Sequence, residues 1–268
     1  MPTATLEGVQ LNYRLDGDGP DTVVLVNGLA DDLLSWEYQI GALLDAGLRV
    51  LRFDNRGVGS SSKPPGPYTT QLFAQDTKAL IDHVGLDRFH LLGVSMGGMI
   101  AQEFALEWPE GLQSLILACT YARPDAFCQR MFSMWADLAT FTGLGPVMRD
   151  VTLWAFTPEF FEDRPVEASE FDAAMRMIDQ PIPAYLAQLH SIQHHDATDR
   201  LHQISAPTLV LAGERDILIP VALSRRLFEA IPGADWATTA GGHACLWEHP
   251  EPFNQHVTDF ISRTGADL

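Results

Sequence analysis

Basic residues are scarce in this chain of 268 residues. Lysine and arginine together number 17 against 35 aspartate and glutamate residues, which gives a formal net charge of −18 at neutral pH. A surface this acidic repels the phosphates of nucleic acids and the anionic headgroups of membranes. We therefore expect neither a nucleic acid nor a membrane as a partner.

Cysteine is scarce as well, with three widely separated residues at Cys119, Cys128 and Cys245. An odd number at this spacing is typical of free thiols in a reducing compartment and excludes a disulfide framework. The first residues have neither a basic region nor an apolar run, so no signal peptide is predicted. No stretch is long and apolar enough to span a membrane. These features predict a cytoplasmic protein.

Hydrophobic residues make up 46% of the chain, enough for a large core. Short apolar runs, typical of strands buried on both faces, alternate with segments of helical spacing up to about residue 120 and again from about residue 207. This alternation predicts an α/β fold with a mostly parallel sheet and right-handed crossovers. The predicted strands are an opening hairpin within 6–15, then 22–26, 48–53, 89–93, 112–118, 208–212 and 236–239. The predicted helices are about 35–46, 70–84, 96–108, 220–231 and 251–264.

The middle of the chain, from about 121 to 200, has no strand-like run. Apolar side chains recur there at helical spacing around 127–138, 171–178 and 185–189. Prolines divide the pieces, at Pro146, Pro158, Pro165, Pro181 and Pro183. We therefore predict a core domain formed by residues 1–120 and 201–268, and a helical cap, or lid, formed by residues 121–200.

The sequence G-V-S-M-G at residues 93–97 lies between a predicted strand and a predicted helix. That context is typical of a nucleophile elbow, in which Ser95 is held in a strained turn and its Oγ is exposed. The amide of Met96 then lies free at a helix N-terminus, where it can stabilise an oxyanion. An ordinary strand–turn–helix connection is the alternative.

A serine nucleophile needs a base that is oriented by a third group. Asp216 and His243 follow two later predicted strands, in the chain order Ser, acid, His that this topology requires. Glu214 is an alternative acid, and Asp216 could instead cap a helix. A histidine base of ordinary pKa predicts activity that rises between about pH 6 and 7.

The second oxyanion donor is expected from the loop after the strand 22–26, where Gly28 lets the backbone bend and Leu29 N–H can donate. A plain turn is the alternative for this loop. Arg56 lies in a second glycine-rich loop, which we interpret as structural rather than as a phosphate loop. The His-His-Asp run at 194–196 has no second ligand cluster, so a core or solvated role is favoured over a metal site.

These motifs, at 93–97, 213–216 and 241–243, resemble the α/β-hydrolase fold superfamily over nearly the whole chain. The residues around Ser95 are most similar to the 3-oxoadipate enol-lactonase, cofactor-free haloperoxidase/esterase and meta-cleavage-product hydrolase group. The resemblance implies an eight-stranded sheet, a cap inserted after the sixth strand, and Ser95, Asp216 and His243 as a triad. One departure is Asn27, where the superfamily usually has histidine.

The predicted function is therefore a serine hydrolase that cleaves a carboxylic ester or lactone through an acyl-enzyme, with no metal or organic cofactor. A hydrolase of carbon–carbon bonds in vinylogous diketones and a non-catalytic ligand-binding relative are the alternatives, and perhydrolase activity and a homodimer stay open. The expected partner is a small apolar ester or lactone. Trp135 and Met131 are predicted to line its pocket, while Arg123 or Arg130 could hold a substrate carboxylate.

Overall fold

Eight strands form one sheet in a computed structural model that describes residues 2–265. In sheet order β1-β2-β4-β3-β5-β6-β7-β8, the pairs β1–β2 and β2–β4 are antiparallel and the other pairs are parallel. This confirms the predicted mostly parallel sheet. The strands are β1 (Thr3–Leu6), β2 (Val9–Asp16), β3 (Asp21–Val26), β4 (Leu48–Phe53), β5 (Phe89–Val94), β6 (Leu112–Ala118), β7 (Thr208–Gly213) and β8 (Asp235–Thr239).

Helices cover both faces of the sheet. Because successive side chains of a strand point to opposite faces, Val23 and Leu25 of β3 enter one core, and Val24 and Val26 enter the other. Helices α1 and α11 cover the first core, and α2, α3 and α9 cover the second. The helices are α1 (Glu37–Asp45), α2 (Thr70–Val84), α3 (Met96–Glu107), α4 (Ala126–Thr142), α5 (Leu144–Ala155), α6 (Pro158–Asp163), α7 (Pro165–Arg176), α8 (Ile182–Gln193), α9 (Val221–Ala230), α10 (Cys245–Glu248) and α11 (Pro250–Gly265).

The first helical segment starts earlier than predicted. A short 3₁₀ helix, Leu33–Trp36, precedes α1 and begins where the Asp32 carboxylate accepts a hydrogen bond from the Leu34 N–H. An aspartate that caps the amide two residues later starts a turn at once. The predicted start at residue 35 is therefore corrected to 33.

Helices α4 to α8 lie between β6 and β7, and we call residues 121–200 the cap. Pro158 and Pro165 are the first residues of α6 and α7. A proline is favoured at the first position of a helix, because an N–H would have no partner there. Pro146 was expected to separate helices but lies in the first turn of α5, where its missing N–H costs nothing. Helix α5 was therefore not predicted.

The end of the cap is fixed to α3 by a buried carboxylate. Glu103 of α3 accepts two hydrogen bonds from the Arg200 guanidinium, each of 2.7 Å, and lies 3.4 Å from the ring of His195. Burial acts to raise the pKa of Glu103, but hydrogen bonds from His195 and Arg200 outweigh it and lower the pKa to about 2. The helix that follows Ser95 is thus tied to residues 195–200. Across the described part of the chain, no helix is long and apolar enough to cross a membrane.

Candidate active site

Ser95 occupies the turn between β5, which ends at Val94, and α3, which begins at Met96. Its backbone has φ 55° and ψ −118°, a region that residues with a side chain rarely adopt. A Cβ at Gly93 would collide with the Gly97 backbone, and a Cβ at Gly97 would collide with the carbonyl of Val26. The two glycines therefore permit the close approach of strand and helix that holds Ser95 in the turn.

Asp216 and His243 are in direct contact. His243 Nδ1 lies 2.7 Å from Asp216 Oδ2, and the other carboxylate oxygen accepts a 2.8 Å hydrogen bond from the Ile219 N–H. Both side chains are largely withdrawn from solvent, with 12% of His243 and 1% of Asp216 exposed. In the neutral ring this contact keeps the proton on Nδ1 and leaves Nε2 able to accept one.

Glu214, the alternative acid, lies elsewhere. Its side chain is exposed and accepts a 3.2 Å hydrogen bond from the Thr238 hydroxyl. The structure thus places Asp216 and not Glu214 against the ring of His243.

One cavity is lined by five of the predicted site residues. Ser95, His243, Gly28, Leu29 and Trp135 all line it. Trp135 Nε1 also donates a 2.8 Å hydrogen bond to Asp150 outside the cavity wall, which fixes the indole. The remaining wall is mainly apolar and includes Met99, Phe132, Met148, Val151, Phe156, Phe171, Met175, Ile192, Leu218, Ile219, Leu246 and Trp247.

Asn27 supports the loop that carries the expected oxyanion donor. Its side-chain amide donates to the Phe53 carbonyl at 2.8 Å and to the Asp31 carbonyl at 3.3 Å, and its oxygen accepts from Trp36 Nε1 at 2.6 Å. Asparagine thus holds the loop at the position where the resembled superfamily has histidine. Leu29, two residues further on, lines the cavity together with Ser95.

Met96 is the first residue of α3, so no carbonyl within its own helix is available to its N–H. Met96 and Leu29 are the two predicted backbone donors to an oxyanion. An oxyanion hole formed by these two N–H groups stays a prediction.

The cap reaches the same loop through Gln188 of α8, a residue that sequence reasoning did not identify. Its oxygen accepts a 3.2 Å hydrogen bond from the N–H of Ala30, which has a positive φ of 64°. Its nitrogen donates to the Arg56 carbonyl at 2.9 Å, and Gln180 donates to its oxygen at 3.0 Å. Gln188 is fully buried. A lone glutamine on an amphipathic helix carries no sequence signal for such a contact.

The surroundings of His243 change its acidity. Burial acts to lower the pKa of the ring, but the charge of Asp216 and the hydrogen bond to it raise the pKa more strongly. Cys119 and Asp31 act in the same direction, and the pKa of His243 reaches about 9. The sequence-based expectation of a base titrating between pH 6 and 7 is therefore corrected upward.

Two residues predicted to contact substrate lie away from the cavity. Met131 of α4 is buried in the hydrophobic core that the cap helices share with one face of the sheet. Arg123 is mostly exposed, and its guanidinium lies 3.8 Å from the carboxylate of Asp196 at the surface of the cap. Arg130 is exposed as well. Within the described chain, none of these three residues lines the cavity that contains Ser95 and His243.

Arg56 has a structural role, as its loop was interpreted. Its guanidinium makes two 2.5 Å hydrogen bonds to the buried carboxylate of Asp76. His195 is also a core residue, with Nδ1 3.0 Å from the Thr70 hydroxyl.

Helix α5 supplies cavity residues that the sequence analysis missed. Met148, Val151, Thr152 and Ala155 lie on one side of it and line the cavity. Their spacing of three and four residues is the signal that could have revealed them. Pro146, which precedes these residues, predicts a break between helices and therefore argues against a helix here.

The described residues contain one group of three side chains that could offer metal ligands close together. Atoms of Cys119, Asp216 and His243 lie within 4.8 Å of one another. A hydrogen bond with Cys245 and, to a lesser extent, burial raise the pKa of the Cys119 thiol far above its usual value. The thiol therefore stays protonated. Because a metal needs the thiolate, this set of donors fits an acid–base pair better than a metal site.

A family model described as the alpha/beta hydrolase fold matches residues 21–250. The chain belongs to the alpha/beta hydrolase fold family. Its sheet order, with helices on both faces and an insertion after β6, is the expected architecture.

Relatives within this family support hydrolase activity. The 3-oxoadipate enol-lactonase 2 of Acinetobacter baylyi is 32% identical over 97% of this chain and 96% of its own. A protein of Caulobacter segnis provisionally named carbamate hydrolase RutD is 30% identical over 97% of this chain and 99% of its own. Among solved structures, the enol-lactonase from Burkholderia xenovorans LB400 has a TM-score of 0.91 and 29% identity, and the match covers 97% of this chain and 100% of that one.

We expect the kcat/KM of this hydrolase-family chain to rise with pH through about 9, because His243 accepts a proton only in its neutral form. The measurement is a pH profile of kcat/KM from pH 5 to 10.5. An inflection below pH 7 in the wild-type protein would contradict the altered pKa.

The acid is tested by a matched pair of amide substitutions. Asp216→Asn should lower kcat by roughly 10³ to 10⁴, because an amide favours the wrong tautomer of His243. Glu214→Gln, two residues away, should leave kcat within about twofold of wild type because its side chain is exposed. A larger loss in the Glu214 variant would reverse the assignment.

Proposed function

We propose that this chain is a serine hydrolase that cleaves a carboxylic ester or lactone through an acyl-enzyme on Ser95. The observation that supports this most is the hydrogen bond between Asp216 and His243. The ring of His243 lines the same cavity as Ser95, which lies in a strained turn. Strain and glycine spacing at that turn have no purpose in an ordinary strand–helix connection.

In the proposed reaction, His243 Nε2 takes the hydroxyl proton as Ser95 Oγ attacks the substrate carbonyl. The carbonyl oxygen becomes an oxyanion that the N–H groups of Leu29 and Met96 stabilise. His243 then gives its proton to the leaving alkoxide, and the acyl group stays on Oγ. Water attacks this acyl-enzyme with His243 again as base, which releases the acid and restores Ser95. Asp216 holds the ring and stabilises its charged form throughout.

The cavity favours a small apolar substrate. Methionine and aromatic side chains dominate its wall, and such a surface binds acyl chains and rings by contact area rather than by charge. The relatives named enol-lactonase act on a cyclic ester, which agrees with a lactone here. A small molecule is thus the proposed partner.

The nucleophile is tested by Ser95→Ala, with Ser133→Ala on the exposed face of α4 as the matched control. We expect the Ser95 variant to lose roughly 10⁴-fold or more in kcat and the control to keep wild-type activity. Turnover should be measured on an aryl butyrate, a γ-lactone, a carbamate and a vinylogous diketone.

Two outcomes would contradict the proposal. A Ser95→Ala variant that keeps a tenth of wild-type turnover would remove the covalent mechanism. Wild-type turnover of the diketone alone would favour carbon–carbon hydrolysis over ester hydrolysis.

A further inference from the structure

Asp31 is a carboxylic acid in the wall of the catalytic cavity that the proposed mechanism does not use. Of the described residues that line this cavity, Asp31 and His243 alone have ionisable acid or base side chains, and no lysine or arginine is among them. The position lies in the Asn27–Asp32 loop, which sequence reasoning considered only for its backbone.

The carboxylate borders the reacting serine. A Cβ built on Gly28 would lie 2.7 Å from Asp31 Oδ2 and 3.7 Å from Ser95 Cβ. The carboxylate and the serine therefore flank the same point of the loop. No hydrogen-bond donor within residues 2–265 contacts the Asp31 carboxylate, although its backbone carbonyl accepts from Asn27.

Asp31 also lies where the cavity meets an open cleft. Asp31, Phe171, Met175 and Trp247 line both spaces, so a substrate that extends from Ser95 toward the cleft passes this side chain. The cleft has no lysine or arginine among its described lining residues.

The titratable groups whose charge acts on Asp31 are Asp32 and His243. Burial, and then the charge of Asp32, raise the pKa of Asp31 to about 7, while His243 acts in the opposite direction. Asp179 is a further acidic residue in the wall of the open cleft. When His243 is neutral, as its role as the base requires, the ionised Asp31 carboxylate has no partner cation among the residues that line the two spaces, and a substrate could supply one.

We propose that Asp31 selects esters or lactones that carry a positive charge near the reacting carbonyl and disfavours those with a carboxylate there. The inference rests on the proposed function, because it concerns the substrate of the same site. It refines the expected apolar substrate by adding one charge at the mouth of the apolar cavity. An unpaired carboxylate in such surroundings discriminates charge strongly because the nearby wall supplies little competing polarity.

The test compares butyrylcholine with its uncharged isostere, 3,3-dimethylbutyl butyrate. In the wild-type protein we expect the ratio of their kcat/KM values to be roughly tenfold higher at pH 8.5 than at pH 5.5, as Asp31 ionises. His243 serves both esters, so its own titration cancels in the ratio. A third ester, 3-carboxypropyl butyrate, should show the opposite trend.

Asp31→Asn should remove the pH dependence of this ratio and bring it close to its low-pH value. Asp32→Asn is the matched control at pH 8.5: it lowers the pKa of Asp31 and so leaves Asp31 ionised there, Asp32 does not line the catalytic cavity, and the new amide oxygen can still accept from the Leu34 N–H. We expect the control to change the ratio at pH 8.5 by less than about threefold. Because the wild-type pH series needs no variant, the proposal stays testable even if Asp31→Asn folds poorly.

Two results separate the failures. Hydrolysis that depends on Ser95 but shows a charge ratio independent of pH and of Asp31 would overturn this inference alone. Hydrolysis of both esters that persists in Ser95→Ala would overturn the proposed function and the inference with it.

Discussion

The candidate site depends on how closely three backbone segments approach one another at Ser95. The end of β5, the start of α3 and the loop after β3 meet at Gly93 and Gly97. Neighbouring backbone atoms leave no room for a side chain at either glycine. This approach imposes the positive φ of Ser95 and brings its side chain to the wall that Leu29 also lines. His243 lines the same cavity as Ser95.

The loop after β3 shows how much support such an approach needs. Asn27 fixes one end of the loop through Trp36 and the Phe53 carbonyl, and Gln188 from the cap fixes its middle through the Ala30 amide. Backbone donors stabilise a developing charge well only when they are already oriented. The cap therefore does more than cover the substrate, because it also helps to hold the expected oxyanion loop in place.

The charges in the site are few and interdependent. Asp216 raises the pKa of His243, and His243 lowers that of Asp31. The His243 ring and the Asp31 carboxylate line a cavity whose wall is mainly apolar. Charges are weakly screened in such surroundings, so each charge changes the pKa of the others. A substrate that brings its own charge would consequently change both the binding and the basicity of the site.

Local patterns were sufficient to predict the sheet, the insertion after the sixth strand, and the positions of Ser95, Asp216 and His243. Each of these follows from short runs of residues, such as an apolar strand followed by glycine and a polar side chain. Helix α5 was missed because Pro146 was given more weight than the apolar spacing behind it.

Other features depend on residues distant in the chain. The contact between Gln188 and Ala30 joins positions 158 apart, and the pKa of His243 depends on burial and on charges from separate loops. Arg123 was expected at the substrate, but Asp196 lies near it at the surface. Neither periodicity nor motif spacing contains that information.

The central claim is that Ser95 is a nucleophile activated by the Asp216–His243 pair. The most direct measurement is the intact mass and peptide map of the wild-type protein after treatment with a fluorophosphonate, alongside Asp216→Asn. The account predicts one adduct per chain, located on Ser95, and much slower labelling in the variant. An unlabelled Ser95 in a protein that still hydrolyses its ester, or equal labelling rates in both proteins, would contradict it.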